Sequence, residues 1–182
     1  MNRARRGIAA LWVTTLASVL AGVALAQPTA GDAEATLALV PNAPEDVRQG
    51  AILYDYHCSA CHGDTGGGLA EAKTSFPRTH RDCTSCHRPH NPPQMEAGAM
   101  TPRSAFDIGV APPVVGQDAT LSRFGTGAAL FAYVRATMPR PWPAALDDED
   151  YLKMTAFLLA ANGVDVGGVP ATPEDLPAFD DR

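Results

Sequence analysis

The sequence is poor in positive charge: 14 Lys and Arg stand against 20 Asp and Glu, a formal net charge of −6 at pH 7. Such a balance repels nucleic-acid phosphates and anionic membrane surfaces, which excludes functions that rest on neutralising phosphate. Cysteine is scarce as well. The four residues Cys58, Cys61, Cys83 and Cys86 form two Cys-x-x-Cys pairs, so no thiol is left over. No βαβ alternation surrounds either pair, and a thioredoxin-like redox pair therefore lacks its frame. No internal repeat is visible beyond one five-residue pattern that occurs twice. After residue 26 the chain has no further apolar run long enough to span a bilayer, and no signalling segment follows its central part, so a sensor would have no output element.

What is there begins at residue 1. Arg3, Arg5 and Arg6 precede an apolar run from Ile8 to Leu25 that ends in Ala24-Leu25-Ala26, an A-x-A cleavage pattern before Gln27. These features predict a signal peptide over residues 1–26 and a periplasmic or otherwise exported protein. About 20 apolar residues also suffice for a membrane anchor, and membrane attachment is expected only if this segment is retained. Its removal leaves 11 basic against 20 acidic residues, a net charge of −9. An exported domain of that charge is expected to be soluble and to dock on a basic patch.

The repeated pattern is Cys58-Ser59-Ala60-Cys61-His62 and Cys83-Thr84-Ser85-Cys86-His87. Cys-x-x-Cys-His is the c-type haem attachment motif. Two thiols about one helical turn apart reach the two vinyl groups of a porphyrin, and the adjacent His presents its imidazole to the iron. A structural zinc site also suits two CxxC pairs, and an exported chain can form disulfides from four cysteines. Neither alternative requires a His after each second Cys. The motifs therefore predict two covalently attached haem c groups, with His62 and His87 as proximal iron ligands.

Residues 27–44 lack periodicity and read as a flexible lead-in. From Pro44 a helix is predicted, with Val47, Gly50, Ala51 and Tyr54 on one face, running into Cys58 and stopped by Gly63 and Gly66-Gly67-Gly68. Residues 69–104 are polar and proline-rich, with little regular structure predicted. A helix from Gly127 to Thr137 buries Leu130, Phe131 and Val134 and stops before Pro139. The last helix is capped by Asp147, repeats Tyr151, Met154, Phe157 and Leu158 on its apolar side, and ends at Asn162-Gly163. Residues 164–182 read as a tail.

Over roughly residues 45–68 and 105–163 the chain resembles the class I cytochrome c family. The resemblance is carried by the helix leading into Cys58–His62, by Ala111-Pro112-Pro113-Val114-Val115-Gly116, by Met138-Pro139 and by the final helix. It implies an all-α fold, a cytochrome c domain over residues 45–163, in which the first and last helices cross and Gly50, Tyr54 and Phe157 meet. It implies that the Pro112 carbonyl holds the proximal His62 and that Met138 is the distal iron ligand, a soft thioether that raises the reduction potential. The departure from the family pattern is the second haem motif inside an insertion at about residues 70–104. For the distal position of that haem, Met95, Met100 and His80 are the leading candidates. His57 and His90 are further ones, and the position can also stay open.

With both axial positions filled, a haem exchanges electrons but offers no substrate site. The expected function is electron transfer between redox proteins, for example from a dehydrogenase donor to an oxidase or another cytochrome, rather than catalysis. The competing expectation is a small diheme enzyme of peroxidase or sulfur-compound dehydrogenase type, or its cytochrome subunit. It requires an exchangeable ligand on the second haem, and only one full domain is visible in the sequence.

Overall fold

The computed structural model describes residues 33–78, 81 and 110–180. Six α-helices order the described chain: α1 (Glu34–Leu37), α2 (Glu45–His57), α3 (Ser59–His62), α4 (Leu69–Ala72), α5 (Gly127–Thr137) and α6 (Asp148–Ala161). Short 3₁₀ turns lie at Lys73–Ser75, Leu121–Phe124 and Pro173–Asp175. Among the described residues there is no β-strand, only an isolated antiparallel bridge between Thr126 and Ala178. The architecture of the described residues is all-α.

The helix boundaries have local causes. Pro44 precedes α2, and Glu45 and Asp46 in its first turn complement the positive end of the helix dipole. Thr126 caps α5 by accepting a hydrogen bond from the Ala129 amide at 3.2 Å. Asp147 caps α6 in the same way, its carboxylate accepting from Asp150 N at 2.9 Å. That helix ends at Asn162, followed by Gly163 at φ +82°.

The core is the packing of α2 on α6, with α5 laid against α6. Val47, Ala51, Tyr54, Tyr151, Phe157 and Leu159 are essentially inaccessible, and full burial of one such apolar side chain contributes about 1.5–3 kcal/mol. Gly50 sets the distance between the helices. A Cβ at that position would overlap the Lys153 carbonyl and press on Phe157. Beside it the Tyr54 and Phe157 rings meet with centroids 5.2 Å apart.

Two segments differ from their predicted character. Of the lead-in, residues 33–44 are not loose: Ala33, Thr36, Leu37 and Val40 are buried, and α1 lies against α2. Residues 164–180 are not a free tail either. Val164, Val166, Leu176 and Phe179 enter the same core, Phe179 N donates to Gly125 O, and Gly127 N donates to Pro177 O. Val169 N donates to the Asp46 carboxylate at 2.8 Å, which ties this segment to the start of α2. Both stretches place apolar residues irregularly between Ala, Gly, Pro and Asp, so burial leaves no period to read. The second motif with Cys83, Cys86 and His87, and the candidates His80, His90, Met95 and Met100, lie outside the described residues, as do residues 1–32.

Candidate functional site

Cys58 stands between α2 and α3, and Cys61 and His62 belong to the single turn of α3. The turn is closed by hydrogen bonds from Cys61 N and His62 N to Cys58 O and from Gly63 N to Ser59 O. Ser59 Oγ donates to Asp55 O at 2.6 Å, joining the turn to α2. Two cysteines at i and i+3 on one turn are neighbours on its surface. Both are half-buried and neither is in a disulfide. Burial, and then proximity to Cys61, pushes the Cys58 thiol up to about 12. A dithiol redox pair needs a lowered thiol pKa instead.

His62 is oriented from a distant part of the chain. Its Nδ1 lies 2.9 Å from the carbonyl oxygen of Pro112. A carbonyl only accepts, so Nδ1 carries the proton and Nε2 keeps its lone pair. Burial lowers the ring's pKa, while the Pro112 hydrogen bond acts in the opposite direction. The ring is therefore held neutral in one tautomer, with the lone pair on Nε2. This is the pairing that the resemblance implies for Pro112.

Backbone hydrogen bonds fix both partners of that contact. Gly68 N donates to His62 O at 2.6 Å and Leu69 N to Ala111 O at 2.9 Å. The Gly66 carbonyl accepts from both Val114 N and Val115 N, at 2.7 and 3.2 Å. Asn162, at the end of α6, donates through Nδ2 to Val114 O and Leu158 O, each at 2.8 Å. Gly68 has φ +80°, and a Cβ there would stand 2.8 Å from the Pro112–Pro113 backbone. Only glycine permits that approach.

Beneath the turn, the Tyr54 hydroxyl donates to Gly63 O at 3.0 Å. Its pKa is pushed up, chiefly by burial and then by Cys58. The buried Thr36 hydroxyl shares its proton between Asp64 O at 2.8 Å and Asp55 Oδ1 at 3.1 Å. Glu71 lies inside the bend of the glycine-rich loop. Its carboxylate accepts from Thr65 N at 2.8 Å, Thr65 Oγ1 at 2.9 Å and Gly67 N at 2.6 Å.

Met138 follows α5 directly and is half-buried against the core. Its amide donates to Val134 O, and its carbonyl accepts from the Tyr151 hydroxyl of α6 at 2.7 Å. An Arg135–Asp148 ion pair joins the end of α5 to the start of α6 across this loop.

Comparison with family models, curated proteins and solved structures finds no match to this chain.

The donors on this turn are two thiols and an imidazole nitrogen, soft groups of the kind that attach haem rather than bind calcium or magnesium. Among the described residues, no cluster of three or more His, Cys, Asp and Glu could hold a metal ion. No described helix is long and apolar enough to cross a membrane. Thr36, Glu71, Tyr151 and Asn162 support the site without having been singled out for that role in the sequence. For Glu71 a signal exists, one acid just beyond a loop of glycines. Thr36 leaves none.

Proposed function

We propose that the chain is an exported diheme c-type cytochrome that carries single electrons between protein partners, and that its helical domain is of the class I cytochrome c kind. The observation that carries the reading is the His62 Nδ1 contact with Pro112 O, made by a ring that directly follows two cysteines on one turn. A disulfide pair gives such a contact no role, and a zinc site, where it would also orient a ligating imidazole, does not require a His directly after each second cysteine. In a haem site it fixes the tautomer, presents Nε2 and raises the basicity of the proximal ligand.

Haem, when bound, supplies one-electron chemistry at its iron. The chain's own residues attach and orient it. Cys58 and Cys61 would hold it through thioethers, and His62 would be an iron ligand. Met138 is assigned as the distal ligand, and the Tyr151 hydroxyl anchors its backbone. Cys83, Cys86 and His87 are assigned to the second haem on the strength of the motif. The donor and acceptor are redox proteins, with a basic docking face on the partner to match the net charge of this chain.

Mass spectrometry of the denatured protein from a haem-loading exporting host tests this. The expected mass is that of a chain beginning at Gln27 plus two haems. A mass with no haem, or with zinc, overturns the reading. Carbon monoxide added to the reduced protein separates carrier from enzyme: slow or absent binding is expected, and rapid stoichiometric binding joined to peroxide or sulfur-substrate turnover refutes the carrier.

A further inference from the structure

We infer that Glu71 is a positioning residue for the proximal histidine: its ionised carboxylate clasps the glycine-rich loop on which the Pro112 acceptor of His62 rests. The inference depends on the proposed role of His62 as an iron ligand.

The loop from Gly63 to Gly68 is folded around the Glu71 side chain. Oε1 accepts from Thr65 N, and Oε2 accepts from both Gly67 N and Thr65 Oγ1. A Cβ on Gly63 or on Gly67 would overlap the same carboxylate, so the backbone closes directly onto the charge. The amides of Thr65 and Gly67 converge on the one anion, while Gly66 N between them turns to Gly63 O. Burial alone would raise the Glu71 pKa, but the hydrogen bonds from Thr65, Gly67 and Asp64 bring it below its ordinary value. The clasp therefore prefers the anion.

What the clasp holds is the platform for residues 111–115. Gly66 O receives Val114 N and Val115 N, and Gly68 packs against the Pro112–Pro113 peptide. His62 O also receives Gly68 N. One short loop thus holds both ends of the Nδ1–carbonyl contact, and the carboxylate holds the loop. Glutamine cannot replace it. Both carboxylate oxygens face backbone N–H donors, so either orientation of the amide sets an NH₂ group against an N–H.

The test compares wild type, Glu71→Gln and Thr65→Val in the haem-loaded, reduced protein. Three quantities are read: covalent haem mass, exchange of the His62 Nδ1 proton by NMR, and the midpoint potentials. In Glu71→Gln we expect unchanged haem mass, Nδ1 exchange faster by about tenfold, the equivalent of one weakened hydrogen bond, and an upward shift of one potential. The potential rises because a less firmly bonded imidazole donates less to ferric iron. Thr65→Val keeps the carboxylate and removes one donor, so it should give a smaller change in the same direction; it also decides the matter if Glu71→Gln does not fold. Normal exchange and potentials in the variants that fold overturn the clasp. Wild type lacking haem on Cys58 and Cys61 overturns the functional reading instead, and Nδ1 exchange in that same protein still decides the clasp.

Discussion

The contact between α2 and α6 and the paired loops 63–68 and 111–116 are held together by different means. The helix contact is apolar and close-packed around Gly50, Tyr54 and Phe157. The loops contribute few buried apolar side chains and are fixed by hydrogen bonds to Gly66, Gly68, Glu71 and Asn162. Burial is roughly proportional to area and non-directional, whereas a hydrogen bond fixes distance and angle. Stability should therefore reside in the helix contact, and the aim of the His62 ring in the loops.

The sharpest way to break this division is Gly50→Ala. In an ordinary helix interior the change stabilises by about 0.5–1 kcal/mol. Here the new methyl meets the Lys153 backbone, which cannot swing aside, and overpacking of this kind costs about 1–3 kcal/mol or more. Net destabilisation is expected by denaturant titration, and a neutral or stabilised variant would show that the helices do not approach so closely. A smaller effect is expected from Asn162→Ala. It removes the hydrogen bonds to Val114 O and Leu158 O at about 1–2 kcal/mol in total. Unlike Gly50→Ala it should also disturb the spectrum of the haem proposed on His62; equal spectral changes in the two variants would erase the distinction between the regions.

The smallest effect concerns acid. Glu71 has a folded-state pKa below its ordinary 4.5, so its contribution to stability is complete above that value and fades as pH falls through the depressed one. Below pH 4.5 wild type should lose stability more steeply than Glu71→Gln, measured as melting temperature against pH. Parallel curves for the two proteins would remove the carboxylate from the account.

Much of the helical frame was legible because its signals are local. The caps at Pro44 and Asp147, the stop at Asn162-Gly163 and the 3.6-residue repeat of Val47, Ala51 and Tyr54 each need only a few neighbouring residues. Of the site, the Cys58-x-x-Cys61-His62 turn is local too. Its second half is not: Pro112 lies 50 positions from His62, and only the family resemblance suggested pairing them. The burial of Thr36, Leu37, Val166 and Phe179 escaped because short irregular segments carry no period. Glu71 escaped although an acid follows the run of glycines, because that neighbourhood does not say which amides the carboxylate receives.

One hydrogen bond bears on how such a chain can be assembled from parts. Leu69 N donates to Ala111 O, so two residues far apart in sequence stand side by side in the fold. A detour whose ends already touch adds little entropic cost as it lengthens, about 0.6 kcal/mol for each doubling. The chain between α4 with its following 3₁₀ turn and Ala111 can thus vary in length at little cost to the domain. The second Cys-x-x-Cys-His sequence lies in that stretch of the sequence. Changes of length there leave the Leu69–Ala111 pairing, and with it the turn at Cys58–His62, free to keep its shape.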